Sequence, residues 1–220
     1  MKRIHSQIVE VKKHHFRKET LPMLTAFKII VVLVFLLFFV NISDFGNKNV
    51  KPLIRQPWLS IMRIGYPIAP LCFLYFLVST NQLIATDYVA LPMMSIGTTI
   101  VFSAKRTLGK RHSWTGFSST EIDDFCKTGL YSWIRHPLYS GIAFAVLGTA
   151  FSVIPRGNTN LIIFILYLVG SILTFIFIGI SSRKETDFLK EKFGKPYADY
   201  ADQVYGFLPL RRIVKKGKRN

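Results

Sequence analysis

The chain has 220 residues, half of them apolar, and sets 29 Lys+Arg against 12 Asp+Glu for a formal net charge of +17. Its apolar residues stand in unbroken blocks with the charge collected between them, which excludes a soluble globular domain with its 3.6- or 2-residue period. With 19 Phe in the chain, it is not an apolar-poor basic tail or histone-like nucleic-acid binder either. The excess charge is expected to face membrane headgroups or an anionic ligand.

In chain order, a basic N-terminal segment carrying Lys2, Arg3, Lys12, Lys13, Arg17 and Lys18 precedes the first apolar block, Leu24 to Ile42. A bilayer core of about 30 Å needs roughly 20 mostly apolar helical residues, and this block supplies them, with Lys28 able to snorkel. It starts late and lacks a clear small-residue cleavage site, which argues against a cleaved signal peptide. The stretch from Ile64 to Ser103 is long enough for two spans. Pro67, Pro70, Asp87 and Pro92 interrupt it, so two bent helices are expected, with Asn81 and Gln82 as the turn. Tyr139 to Ile154 and Asn160 to Ser182 are separated only by the turn-like sequence Pro155–Thr159, which makes them a transmembrane hairpin. The expected fold is an all-α polytopic bundle of about five transmembrane helices ending in cytoplasmic tail helices. Cys72 lies in an apolar block and Cys126 in a polar one, so both are expected reduced; no spacing suggests a metal or redox site.

Lys and Arg in the connections set the orientation. With five spans, one side receives the N-terminal segment, the Asn81 turn and the Pro155–Thr159 turn, with 7 basic residues in all. The other receives the first loop, the long loop from Ala104 to His136 and the C-terminal tail, with 20. That second side should be cytoplasmic. This places the basic N-terminal segment outside, unless one of the proline-broken spans is re-entrant. In either arrangement the hairpin brings the loop before it and the tail after it to one face.

Both of those segments carry chemistry. Lys127 to Gly141 reads KTGLYSWIRHPLYSG, where Arg135 and His136 precede a proline suited to the first turn of a helix. The free N–H groups of such a helix end suit a carboxylate or phosphate, and Tyr131 and Tyr139 suit a cationic or heteroaromatic ligand. Taken alone, the same residues also suit an interfacial anchor. After the last span, Glu185, Leu189 and Phe193 fall on one face of a helix leaving the membrane. Gly194 fits its C-cap and Pro196 opens the next helix. Tyr197, Tyr200 and Val204 then form a stripe expected to fold back along the membrane surface. Glu185 is either a solvated residue pairing with Lys190 or a carboxylate turned into a site.

The pattern Gly129-x-Tyr131, Arg135-His136-Pro137-x-Tyr139-x-Gly141, then Glu185, Leu189, Phe193-Gly194, Tyr197, Tyr200 and Phe207-Leu208-Pro209 resembles the isoprenylcysteine carboxyl methyltransferase and phospholipid methyltransferase group. Arg106 to Ser113 looks like the stretch that precedes this motif in the same group. The resemblance covers Lys105 to Leu210 and suggests three regions: membrane spans over 1–103, a methyltransferase-like catalytic core containing the hairpin over 104–210, and a basic tail over 211–220. It implies a membrane enzyme using S-adenosyl-L-methionine without a Rossmann domain, in keeping with the lack of a GxGxxG sequence after a strand. Carried over by position, cofactor contacts fall on Tyr131, His136, Pro137, Leu138, Tyr139 and Glu185, and on Asp123, Asp124, Phe125 and Cys126. Arg135 and Arg183 are the candidates for substrate binding; no catalytic residue is assigned.

Two departures bear on the acceptor. The group usually has two adjacent glutamates where this chain has Glu185-Thr186. An arginine that holds a substrate carboxylate in the eukaryotic enzymes is matched here by Ser181, and Arg183 sits about 200° round the helix from it. The implied partners are a lipid or lipidated acceptor and an anionic membrane surface that attracts the basic tail; no metal and no nucleic acid are expected. Alternatives are an NADPH-dependent sterol or enone reductase, whose membrane domain shows a similar RHPxY-type turn, and a non-enzymatic scaffold binding lipid through its tail.

Overall fold

The computed structural model describes residues 2–42, 50–52, 54, 56–109, 116–118, 124–154 and 160–208. Asp123, the Pro155–Thr159 turn and the 211–220 tail lie outside the described residues. Seven α-helices are formed among those described: α1 Lys2–Ile42, α2 Trp58–Gly65, α3 Ile68–Ser79, α4 Asp87–Leu108, α5 Pro137–Ser152, α6 Leu161–Phe193 and α7 Lys195–Gln203. Two three-residue strands, β1 Val50–Pro52 and β2 Gly116–Ser118, pair antiparallel, and a 3₁₀ turn spans Gly129–Ser132.

Four stretches are long and apolar enough to cross a membrane: Leu21–Ile42, Trp58–Ser79, Asp87–Leu108 and Leu161–Phe193; Pro137–Ser152 is apolar but shorter. The all-α bundle expected from the sequence is therefore present, with one boundary correction. The second span starts at Trp58 rather than Ile64 and breaks at Tyr66-Pro67, where Pro67 caps α3 instead of kinking a continuous helix. The connection from α3 to α4 lies at 80–86 and ends on Asp87, which is 1% exposed. Its carboxylate accepts from the Ile84 N–H at 2.9 Å and the Ser152 hydroxyl at 2.8 Å, tying α4 to the end of α5. As expected, α6 runs unbroken out of the apolar block to Phe193, with Gly194 as its C-cap.

The closest helix pair is α4 against α5. A Cβ on Gly97 would stand 2.6 Å from both the Ala145 nitrogen and the Gly141 oxygen; one on Gly141 would stand 2.7 Å from the Gly97 oxygen. In a bilayer, where burying apolar surface gains nothing over lipid, such backbone-to-backbone packing of small residues is what holds helices together. The exposed faces of α1 and α6 carry Ile29, Leu33, Leu36, Leu37, Ile165 and Ile172, as lipid contact requires.

The shortness of α5 sets the depth of its N-terminus. Its 16 residues span roughly 24 Å at 1.5 Å per residue, whereas α6, with 33, extends well past it. The N-terminus of α5 meets α6 at Glu185 and Thr186, about two turns before the end of that helix.

Candidate active site

His136 is the N-cap of α5 and Pro137 its first residue, as the sequence predicts. The proline has no N–H to leave unsatisfied and its fixed φ starts the helix. The ring of His136 is 4% exposed and meets two successive residues of α6. Its Nε2 lies 3.0 Å from Thr186 Oγ1 and its Nδ1 lies 3.3 Å from Glu185 Oε2. The Nδ1 contact is off the line of a hydrogen bond, so it is a close approach rather than a directed bond. Glu185 thus turns into the bundle toward His136.

Around this pair, Pro137, Leu138 and Tyr139 are buried, as is Tyr131. Tyr139 faces Ser181 and Glu185. Burial first, and the Glu185 charge second, hold the Tyr131 phenol well above its ordinary range, so it remains a neutral donor. At this end of α5, three buried polar atoms have no hydrogen-bond partner among the described residues: Arg135 Nε, His136 Nδ1 and Ser181 Oγ. Leaving such groups unpaired costs about 1–3 kcal/mol each, so this end of α5 holds polar atoms that a bound polar group would satisfy.

The tail closes over the same end of α5. Arg135 donates its N–H to the Tyr205 carbonyl at 2.9 Å and His136 its N–H to that of Gly206 at 2.9 Å. Ser140 Oγ lies 3.0 Å from the Phe207 carbonyl, to which it donates, and the Phe207 ring stands 5.7 Å from that of His136. The Tyr200 hydroxyl donates to the Tyr131 carbonyl at 2.6 Å, fixing the 3₁₀ turn to α7. Loop and tail meet at one face, as the hairpin requires.

The stripe on α7 does not lie on a membrane surface as expected. Tyr197, Ala201 and Val204 are buried, and Phe125 stacks with Phe193, Tyr197 and Tyr200 at 5.4, 5.1 and 5.3 Å. The physical reason is that Phe125, from the long loop, supplies the apolar partner that the stripe would otherwise find in lipid. Cys126 follows on the rim, half-buried, and both cysteines are free. Asp124 is exposed, 3.8 Å from Lys127, and Arg183 is exposed on the far side of α6; neither joins the His136 cluster. Thr186 and Phe207, named in the sequence pattern without a site role, join it, as do Ser140, Tyr205 and Gly206, which the sequence did not single out. The sequence signals were the adjacency of Thr186 to Glu185, the helical spacing of Ser140 from His136 and the place of Phe207 in the pattern.

Below the cluster, Ile142 and Ala145 of α5, Phe35 and Phe38 of α1, Tyr66 and Thr174 line an almost wholly apolar cavity of about 40 Å³. Ile142 follows Tyr139 by less than one helical turn, which places this cavity next to the polar cluster along α5.

The sequence model of the phospholipid methyltransferase family matches residues 85–196, which is α4 through the start of α7. The chain belongs to the phospholipid methyltransferase family. A search of the curated proteins finds no match. Membership makes the protein a membrane methyltransferase that acts on lipids, and the matched stretch contains His136, Glu185 and all three unpaired atoms. It also takes in α4, whose glycine contact sets the position of α5.

The phenol of Tyr197 carries a pH prediction. Burial, then the Glu185 charge, pushes its pKa up to about 12. Between the ordinary value of 10 and about 12 the unfolded phenol has lost its proton while the folded one keeps it, so stability is full below 10 and falls as pH rises. Thermal melts across this range should show a decline for the wild type that is shallower in Tyr197→Phe. Equal slopes would leave Tyr197 no part in this pH dependence.

Proposed function

We propose that the protein transfers a methyl group from S-adenosyl-L-methionine to a lipid-borne acceptor, either an isoprenylcysteine-type carboxylate or a phospholipid amine, at the cytoplasmic face. The observation that supports it most is the group of unpaired buried atoms, Arg135 Nε, His136 Nδ1 and Ser181 Oγ, gathered around Glu185 between aromatic rings. This donor set fits an amino-acid zwitterion joined to a nucleoside. S-adenosyl-L-methionine supplies a methyl group on a sulfonium, ready for in-line displacement.

The residues then divide the work by charge. His136 and the α5 terminus hold the carboxylate, where the helix dipole favours an anion. Glu185 takes an ammonium or ribose hydroxyls. Tyr131 and Tyr139 line the adenosyl group, with Pro137, Leu138, Phe125 and Cys126 closing the pocket; Asp124 stands on its exposed rim, and Asp123 precedes it in sequence. Arg135 and, from outside, Arg183 are the cations available to an anionic acceptor. A carboxylate acceptor needs no base, and an amine must arrive deprotonated, so the protein's contribution is mainly positioning, which can supply several kcal/mol. The acceptor's chain enters sideways from the bilayer, between the membrane-spanning helices.

Orientation rests on the 20 basic residues gathered on the side that carries the site. The test of the whole reading is transfer of labelled methyl from S-adenosyl-L-methionine into lipid by the purified protein.

A further inference from the structure

We propose that the strap after α7, residues 205–208, is a membrane-interface anchor: Phe207 and Leu208, with Trp133 beside them, sit in the headgroup–acyl boundary of the bilayer and so hold the strap over His136. Among the described residues of the polar cap, 124–136 and 183–208, the exposed large apolar side chains are these three, at 58% for Trp133, 40% for Phe207 and 55% for Leu208. They fall on two segments that pair with each other, since Ile134 bridges Tyr205. Other aromatic side chains of the cap have protein partners: Phe125, Tyr197 and Tyr200 stack on one another. Phe207 keeps one side against the His136 ring at 5.7 Å and offers the rest outward.

Their height fixes what covers them. From Leu161 to Ser182 the apolar run of α6 carries no charge, and the exposed Arg183 and Lys184 follow it, which sets the headgroup level on that helix. His136 meets α6 at the next two residues, Glu185 and Thr186. From that level the strap runs alongside the start of α5. Its Tyr205 carbonyl accepts from the Arg135 N–H, that of Gly206 from the His136 N–H, and that of Phe207 from the Ser140 hydroxyl in the first turn of α5. Successive residues of the strap thus step toward the bilayer, beside a helix with no charged residue from Pro137 to Ser152. Tryptophan, phenylalanine and leucine exposed at that level are the side chains that enter an interface. The charge that follows is complementary: Arg211, Arg212, Lys215, Lys216, Lys218 and Arg219 come next in sequence and favour an anionic leaflet. The membrane contact expected of the α7 stripe therefore passes to the strap behind it.

Spin labels read the depth. In nanodiscs of phosphatidylcholine and phosphatidylserine, protein carrying Cys72→Ala and Cys126→Ser is labelled at Leu208→Cys or, as the control, at Asp202→Cys, an exposed position of α7. Power saturation should find the label at 208 more accessible to oxygen than to a water-soluble nickel chelate, and the label at 202 the reverse. A label at 208 as open to the chelate as the one at 202 would overturn the proposal. Hydrogen exchange reads the holding role. In Leu208→Ser the amides of Arg135 and His136, which donate to the strap, should exchange about five- to tenfold faster than in wild type in the same nanodiscs, the effect of withdrawing part of one aliphatic side chain from apolar surroundings. Equal exchange, in protein that melts like the wild type, would overturn it as well. Neither readout involves the cofactor, so the outcome is independent of whether the protein binds S-adenosyl-L-methionine.

Discussion

Glu185→Ala should weaken S-adenosylhomocysteine binding by about ten- to a hundredfold, the effect of deleting a charge-assisted contact of roughly 1.5–3 kcal/mol. His136→Ala should do the same. Each removes one half of the 3.3 Å contact between the α5 cap and the α6 carboxylate, and each leaves the remaining groups facing a ligand without orientation. The double variant should cost less than the sum of the two, because they act as a unit. Asp187→Ala is the control. It removes an acid only two residues away, but one that is exposed on the outer side of α6, and should leave affinity unchanged. Isothermal calorimetry in detergent, with melting curves to establish folding, reads all four. Unchanged affinity in both Glu185→Ala and His136→Ala would remove the site from this end of α5.

The second large effect lies in the membrane. Gly97→Ala and Gly141→Ala each put a Cβ within 2.7 Å of a backbone oxygen on the facing helix, where no flexible side chain can move aside. Alanine's better helix propensity, about 1 kcal/mol, is outweighed by separating two backbones in contact. Net destabilisation of about 1–3 kcal/mol is expected, and more for Gly97→Leu. Gly179→Ala provides the contrast: nothing lies within 4 Å of its added Cβ, so propensity alone acts and the melting temperature should hold or rise. Because α5 carries His136 at its terminus, the Gly97 and Gly141 variants that do fold should also bind cofactor less tightly. Equal melting temperatures for Gly97→Ala and Gly179→Ala would contradict the close packing of α4 on α5.

Much of the fold was legible from residue order. Unbroken apolar blocks located the spans because a bilayer demands length and apolarity whatever the neighbours are. Arg135-His136-Pro137 announced a helix start, and the hairpin put Glu185 on the same face as His136. The less legible parts depend on which side chain finds which partner. Tyr197, Tyr200 and Val204 read equally well as a membrane-facing stripe and as a protein-facing one, since the same apolar spacing serves lipid or Phe125. Pro67 reads as a kink or a cap with equal ease, and the choice was made by the Tyr66-Pro67 break against α6. Thr186 looked like the loss of a glutamate, yet its hydroxyl sits 3.0 Å from the buried ring. Nothing in a single residue letter distinguishes a lost charge from a gained hydrogen bond.

The basic excess of the chain finds its counterpart at this site. A net +17 concentrated beside the membrane attracts anionic headgroups, but the group facing the buried histidine is an acid. In the proposed site a cationic or hydroxyl-bearing ligand group would stand against Glu185 and an anionic one against the α5 terminus.

The most direct measurement is incubation of the purified protein with S-adenosyl-L-methionine labelled in its methyl group and a total lipid extract, with the product identified by mass. Label in a lipid or lipidated species, lost in Glu185→Ala, is the predicted result. No label in any lipid, with NADPH consumed instead when it is supplied, would contradict methyl transfer and point to a reductase.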